Sequence, residues 1–340
     1  MDDNKAFFKI ENLTVEYTSG GEKIHAVNGV SLELEKGKTL ALVGETGAGK
    51  TTIAKSILRI LPDRAARIVS GSVLLNGQDL LRASEAEMRK IRGNVISMIF
   101  QDPMTALNPV IRVGEQIAEV ILKHNANPEI PAMDQAVKML EMVGIPGDRA
   151  IEYPHQFSGG MKQRVVIAMA LACNPDLILA DEPTTALDVT IQAQILEMIA
   201  DLKKKHNTSM ILITHDLAVV GSICDTVAIV YAGEILEYGD MKEIFLHPAH
   251  PYTVGLFGAI PDLKSRTRRL ANIEGLPPDP SNLPQGCCFS PRCTKASAEC
   301  FSKKFEMRKL GPEPSAEQKG EASGVHYCSC VHAAGTEETH

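Results

Sequence analysis

Residues Gly44-Glu45-Thr46-Gly47-Ala48-Gly49-Lys50-Thr51-Thr52 set two glycines around four residues and follow the second with lysine and threonine. This is the spacing of a nucleotide phosphate cradle. Glycines let the backbone curl so that successive N–H groups aim at a β-phosphate, and the start of a helix adds partial positive charge. Lys50 is expected to reach β and γ oxygens, and Thr51 to offer its hydroxyl to Mg2+. A second chemical unit closes the apolar run Leu177-Ile178-Leu179-Ala180 with two acids, Asp181 and Glu182. A strand ending this way presents charge at the carboxyl edge of a sheet. Asp181 is expected to hold Mg2+, directly or through water, and Glu182 to polarise the attacking water as general base. ATP or GTP binding follows from the first unit, and hydrolysis from the second.

Between the two lies Phe157-Ser158-Gly159-Gly160-Met161-Lys162-Gln163-Arg164, which resembles the signature of the ATP-binding-cassette ATPases. The usual signature there reads Leu-Ser-Gly-Gly-Gln, so this chain departs at Phe157 and Met161 and keeps Ser158-Gly159-Gly160. A hydroxyl and bare backbone N–H groups at a helix start can aim at a γ-phosphate. The resemblance extends over about residues 7–240 and assigns further roles in order. It implies that Gln101, in MIFQDP, touches Mg2+ and the attacking water, and that Asp188, in TTALD, lies on a loop crossing a dimer interface. It also implies that His215, in LITHD, contacts the γ-phosphate and that Tyr17 stacks on adenine. Taken singly these have ordinary readings: Gln101 a surface amide, Asp188 a helix N-cap, His215 a satisfied histidine after a strand, Tyr17 a core aromatic. Their common order is what makes the match specific. The family arrangement is a head-to-tail dimer with each ATP between one chain's phosphate loop and the other's Ser158-Gly159-Gly160.

The last hundred residues carry a different chemistry. HPAHPYTVGLFGAIP, a Pro-rich loop and GCCFSPRC look like the C-terminal extension of dipeptide and oligopeptide permease ATPase subunits, and nickel importers share related ends. That likeness implies membrane permease subunits as partners, a second identical or related ATPase subunit, and indirectly a substrate-binding protein. It also implies a metal centre at Cys287, Cys293, Cys300 and Cys330. Four thiolates suit an iron–sulfur cluster or a tetrahedral zinc. The spacings are longer than the paired C-x-x-C of ordinary zinc modules, which favours [4Fe–4S]. Cys288 and Cys328 are spare thiols able to substitute, and Cys173 and Cys224 read as small hydrophobes. Without a metal the same tail would be a set of reduced, packed cysteines.

These residues need particular elements to hold them. The runs FFKIENLTVEY, SLELEKG and TLALVG read as strands, the third opening into the phosphate loop and the helix KTTIAKSILRIL, which should stop at Pro62. VGEQIAEVILKH, MDQAVKMLEMVG and MKQRVVIAMALAC are helical in spacing, so a helical subdomain is expected over about 103–172. LILAD, the helix IQAQILEMIADLKKKH, SMILITH, DTVAIVYAG and EILEYG then alternate strand and helix, which predicts a largely parallel sheet. The expected fold class is α/β, a Rossmann-like phosphate-loop ATPase core. The resemblance adds an antiparallel β-subdomain, the helical subdomain and a small C-terminal Cys-rich domain. Residues 1–240 would be the nucleotide-binding domain and 241–340 the C-terminal domain, ending in a disordered AAGTEETH.

Composition bounds the rest. A net charge of -7 argues against a nucleic-acid partner, which needs concentrated basic surface. No run approaches the length of a spanning helix, and MDDNKAFFKI lacks the features of a signal peptide, so a cytoplasmic location on the membrane face is expected. Eight cysteines in that reducing compartment point to metal rather than disulfides. The competing readings are a nickel-importer ATPase, a soluble non-transport cassette ATPase with a zinc module, and a nucleotide sensor without turnover. The acidic charge opposes the second, and the intact Glu182 and His215 oppose the third.

Overall fold

The computed structural model describes residues 6–124, 130–184, 189–259, 273–310 and 325–333. They belong to two compact units, one of Met1–Glu33, Leu40–Gln78 and Thr214–His340, the other of Leu34–Thr39 and Asp79–Ile213. The chain opens with strands β1 (Phe8–Ser19), β2 (Glu22–Leu34) and β3 (Thr39–Val43), helix α1 (Lys50–Ile57), and strands β4 (Ala66–Leu75) and β5 (Gln78–Asp79). Its middle holds α2 (Glu85–Ile91), β6 (Ile96–Ile99), α3 (Pro103–Ala106), α4 (Val113–His124), α5 (Ala132–Met142), α6 (Gly159–Leu171), β7 (Leu177–Asp181), α7 (Val189–His206) and β8 (Ser209–Thr214). There follow α8 (Leu217–Ile223), β9 (Thr226–Tyr231), β10 (Glu234–Asp240), α9 (Met241–Leu246), α10 (Pro251–Gly258), α11 (Ala298–Ser302), β11 (Arg308–Lys309) and β12 (His326–Cys328).

The first unit contains an antiparallel sheet of order β2-β1-β4-β5, the expected β-subdomain. Strand β1 alternates buried Phe8 and Ile10 with half-exposed lysine and glutamate, then slips at Asn12, whose φ of 47° makes a bulge that returns Leu13 and Val15 to the core. Its other strands run β11-β12-β10-β9-β3. β3 pairs β9 in parallel, whereas β10 is antiparallel to β9 and β12, so the sheet is mixed rather than largely parallel. The reason is local: β9 and β10 are joined by Ala232 and Gly233, with φ of 46° and 79°, the two left-handed residues that a tight hairpin requires.

In the second unit β6, β7 and β8 are parallel neighbours, and every residue of β7 and β8 is buried. Continuous apolar strands of this kind need cover on both faces. Helices α3 to α6 occupy residues between Pro103 and Leu171. α2 begins with a capping box in which Ser84 and Glu87 satisfy each other's backbone N–H groups.

Helix α1 is shorter than its sequence spacing suggests. It ends at Ile57, because Arg59 turns left-handed at φ 51° and donates its N–H to Ser56 O while Ile60 donates to Lys55 O. This pair of bonds closes a helix C-terminus without glycine and ends α1 ahead of Pro62. Strand β2 in turn begins well before the SLELEKG run. No helix among the described residues is long and apolar enough to cross a membrane. Asp188 and all but the first residue of AAGTEETH lie outside the described residues.

Candidate active site

The phosphate loop leaves β3 at Val43 and enters α1 at Lys50, whose N-cap is Gly49 with φ 100°. A β-carbon at Gly49 would run into the carbonyl oxygen of Ala26, so both the conformation and the space demand glycine. Lys50 is 6% exposed, and its ammonium donates to the carbonyls of Gly44 at 2.7 Å and Glu45 at 2.9 Å. Those bonds hold the cation over the loop. Ala48 donates its N–H to the Glu45 carbonyl at 3.2 Å, tightening the curl through Thr46 and Gly47. Thr51 and Thr52 occupy the first turn of α1. Tyr17, on β1, has its hydroxyl 3.3 Å from that of Thr52, which ties the strand to the phosphate helix. His215 follows β8 and is exposed, ahead of Asp216, which caps α8.

In the other unit Asp181 is the last residue of β7 and is 3% exposed. Glu182 adopts φ 47°, a left-handed conformation that costs a non-glycine residue of order 1 kcal/mol. Its N–H is fixed to the Ile213 carbonyl at 2.9 Å, and its carboxylate accepts a hydrogen bond from Gln101 Nε2 at 2.9 Å. Thus two residues singled out 81 positions apart for the attacking water are in direct contact. The left-handed turn follows the last residue of β7, and the carboxylate it carries sits beside Gln101.

Ser158 is the N-cap of α6, accepting from the Met161 N–H, and Gly159 begins the helix with open space around it. Ser158 and Gly159 are exposed, so a hydroxyl and N–H groups are presented to solvent. Both departures from the usual signature share a partner that the sequence did not reveal. Arg149 lies 4.6 Å above the ring of buried Phe157 and donates to Met161 Sδ at 3.3 Å, while pairing with Glu152 at 2.7 Å. A guanidinium over an aromatic face and a polarisable sulfur are mutually favourable.

The cysteine-bearing segment belongs to the phosphate-loop unit. Cys287 donates its N–H to the Cys300 carbonyl at 2.8 Å, and the thiols of Cys287, Cys293 and Cys300 all bear electrostatically on Cys330. Burial, with smaller contributions from the neighbouring thiols, pushes Cys330 up to about 11. Burial likewise raises Cys287 and Cys293, and Cys288 well above the usual thiol range. The four are gathered, yet among the described residues no three His, Cys, Asp or Glu side chains converge closely enough to hold one metal ion. Cys288 is turned away towards the Tyr231 carbonyl, and Cys328 packs with Ala249, Cys330 and Ala333. Cys173 and Cys224 are buried, in keeping with small hydrophobes.

Three further groups escaped sequence reasoning. Fully buried Glu237 accepts from the N–H groups of Ala249 and His250 and bonds His326 Nε2 at 2.7 Å. Buried Tyr252 uses its hydroxyl to accept the Glu45 N–H at 3.1 Å. Arg292 forms a two-pronged ion pair with Glu45, at 2.9 and 3.2 Å. A glutamate inside the alternating EILEYG and an arginine within a Pro-Arg-Cys triplet were the available signals.

Residues 27–185 match the model of the ABC transporter family, and residues 236–300 that of the oligopeptide/dipeptide transporter C-terminal region. The dipeptide transport ATP-binding protein DppD of Bacillus subtilis is 51% identical over 86% of this chain and 88% of its own length. The oligopeptide transport ATP-binding protein OppD of Escherichia coli is 46% identical over 87% and 88%. Among solved structures, a dimeric ATP-binding cassette in a post-hydrolysis state with ADP and Pi aligns with TM-score 0.61 and 28% identity, over 69% of this chain and 98% of that one. Identity at this level across nearly the whole of such relatives, on a chain with an intact phosphate loop and acid-ended strand, makes this protein a member of the ATP-binding-cassette ATPases, in the family of dipeptide and oligopeptide transport ATP-binding proteins.

Proposed function

We propose that this chain hydrolyses ATP to drive uptake of dipeptides or oligopeptides through separate membrane-embedded permease subunits, at the cytoplasmic face of the membrane. The observation that carries the hydrolytic part is the bond between Gln101 and Glu182, which orients a carboxylate held in a strained turn. In this reading Glu182 accepts the proton of the attacking water, Gln101 fixes that carboxylate, and His215 contacts the γ-phosphate. Residues 44–52 bind the β- and γ-phosphates, and Tyr17 faces the adenine. Thr51, Asp181 and Gln101 would hold Mg2+, which offsets charge on the transferring phosphoryl group. Ser158, Gly159, Gly160 and Asp188 serve the partner cassette's ATP, so turnover requires a dimer. Glu182→Gln should bind ATP yet lose about 10²- to 10⁴-fold in kcat; turnover near the parent rate would remove Glu182 from the role.

Residues 241–340 act in this reading as a C-terminal domain, with Cys287, Cys293, Cys300 and Cys330 holding a [4Fe–4S] cluster of structural role. One zinc would draw its sulfurs to about 3.8 Å from one another, as Zn–S bonds of about 2.3 Å in a tetrahedron require. A cluster gives each thiolate its own iron and holds the sulfurs wider apart. The thiols of Cys287, Cys293 and Cys300 all bear electrostatically on Cys330, which supports one shared centre at these four residues. Anaerobic purification with iron, sulfide and zinc analysis tests this. Stoichiometric iron and sulfide, lost in Cys300→Ser, is the expected result, and zinc without iron would make the tail a zinc module.

A further inference from the structure

Arg292 directly precedes Cys293, but its guanidinium points into the phosphate-loop side of the same unit. All five of its N–H donors are matched in number by acceptors: Nε to the Glu274 carbonyl, one terminal nitrogen to Glu45 and the Tyr231 hydroxyl, the other to Glu45 and the Ile273 carbonyl. The side chain is 6% exposed against 26% for Glu45. A forked, charge-assisted pair in so dry a setting fixes orientation as well as charge. Glu45 is also the second residue of the phosphate loop, and its carbonyl accepts both Lys50 Nζ and the Ala48 N–H. Its N–H is taken by Tyr252. Side chain, N–H and carbonyl of one residue are thereby all fixed, two of them by groups from beyond residue 250.

We propose that Arg292 is a positioning residue for nucleotide binding: by clamping Glu45 it holds the phosphate loop and Lys50 in the phosphate-receiving shape, and the cysteine-bearing segment thus braces the ATP site. The clamp is made wholly between protein groups, so it contributes preorganisation rather than a contact to ATP. Loosening it should weaken ATP and ADP alike, since both depend on the loop around the β-phosphate. It should leave the chemical step at saturating ATP nearly unchanged.

The test titrates fluorescent ATP and ADP analogues with Mg2+ into the full chain and its variants Arg292→Met, Arg292→Lys, Glu45→Gln and Arg292→Met/Glu45→Gln, with ATPase kinetics on each. The expected result is a roughly five- to twentyfold rise in Kd for both nucleotides in Arg292→Met and Glu45→Gln, consistent with loss of a buried charged hydrogen-bonded pair. The double variant should be no weaker than the weaker single one, because both remove the same clamp. In Arg292→Met, KM should rise with kcat within about twofold, and Arg292→Lys, which keeps charge but not the fork, should be intermediate. Nucleotide affinity within twofold of the parent in Arg292→Met overturns the proposal. So do single effects that multiply in the double variant, or a kcat that falls with KM unchanged. If Arg292→Met does not fold, Glu45→Gln and Arg292→Lys decide alone: parent-like affinity in both rejects the clamp.

Discussion

A methyl group at Gly49 would have to tolerate φ 100° and displace the Ala26 carbonyl, so the phosphate loop gives a sharp prediction at the scale of one residue. Strain of about 1–3 kcal/mol translates into roughly 5- to 150-fold in affinity if it is relieved by distorting the loop. Gly49→Ala should therefore lose ATP binding while circular dichroism stays unchanged, as a fluorescent-nucleotide titration with a melting curve would measure. Phe157 supplies the contrasting case. Its ring is buried under Arg149, and Phe157→Ala should cost about 3–5 kcal/mol in urea denaturation. Met161→Gln gives Arg149 an amide oxygen in place of sulfur and should change stability by no more than about 0.5 kcal/mol. Local residue types carried the phosphate loop because its chemistry is consecutive: glycines, lysine and threonine within nine positions need only a strand before and a helix after. Arg149 was invisible because its two contacts depend on how a 3-10 turn folds back on the start of α6.

At the scale of elements, α10 shows how a buried histidine makes a helix start pH-sensitive. His250 caps α10 by accepting the Tyr252 N–H at Nδ1, and burial, partly opposed by the charge of Glu237, pushes it down to about 4. Between that value and the unfolded value near 6.5, the unfolded chain binds the proton and the folded chain does not. Stability contributed by neutral His250 is thus full above pH 6.5 and is lost as the pH falls towards 4, with a slope of at most about 1.4 kcal/mol per pH unit. His250→Asn keeps a capping acceptor without titrating, so denaturant midpoints at pH 7, 6 and 5 should fall less steeply than those of the parent. Glu237→Gln places an amide N–H2 among N–H donors and should cost about 2 kcal/mol or more at pH 7 by the same assay. Hydrophobic spacing predicted β3, β7, β8 and helices α4 and α5, because continuous or 3.6-residue apolar patterns impose those shapes. It overran α1 and started β2 late, since a left-handed Arg59 and a strand whose first five residues are exposed or half-buried leave no periodic mark.

For the whole molecule, the family arrangement makes ATP the adhesive between two cassettes. Glu182→Gln should therefore run as a dimer with MgATP and as a monomer with ADP, as read by light scattering; a mass that ignores the nucleotide would separate dimerisation from ATP. The same measurement on Ser158→Arg, which adds bulk to the exposed α6 start, should show no ATP-dependent doubling while Kd for ATP in the monomer stays within about threefold, as is ordinary for a substitution at an exposed site.

The sequence by itself located the nine-residue glycine, lysine and threonine loop between a strand and a helix, the apolar strand that runs into Asp181 and Glu182, and Ser158 ahead of a helical run. Each is local, a matter of neighbours within one turn or one strand, where backbone geometry follows directly from residue type. Only the tertiary structure decided that Gln101 meets Glu182, that Glu237 joins His326 across 89 positions, and that Arg292 grips Glu45 across 247. Ion pairs and hydrogen bonds of this kind depend on which surfaces the folded chain brings together and dries. No periodicity along the sequence records that.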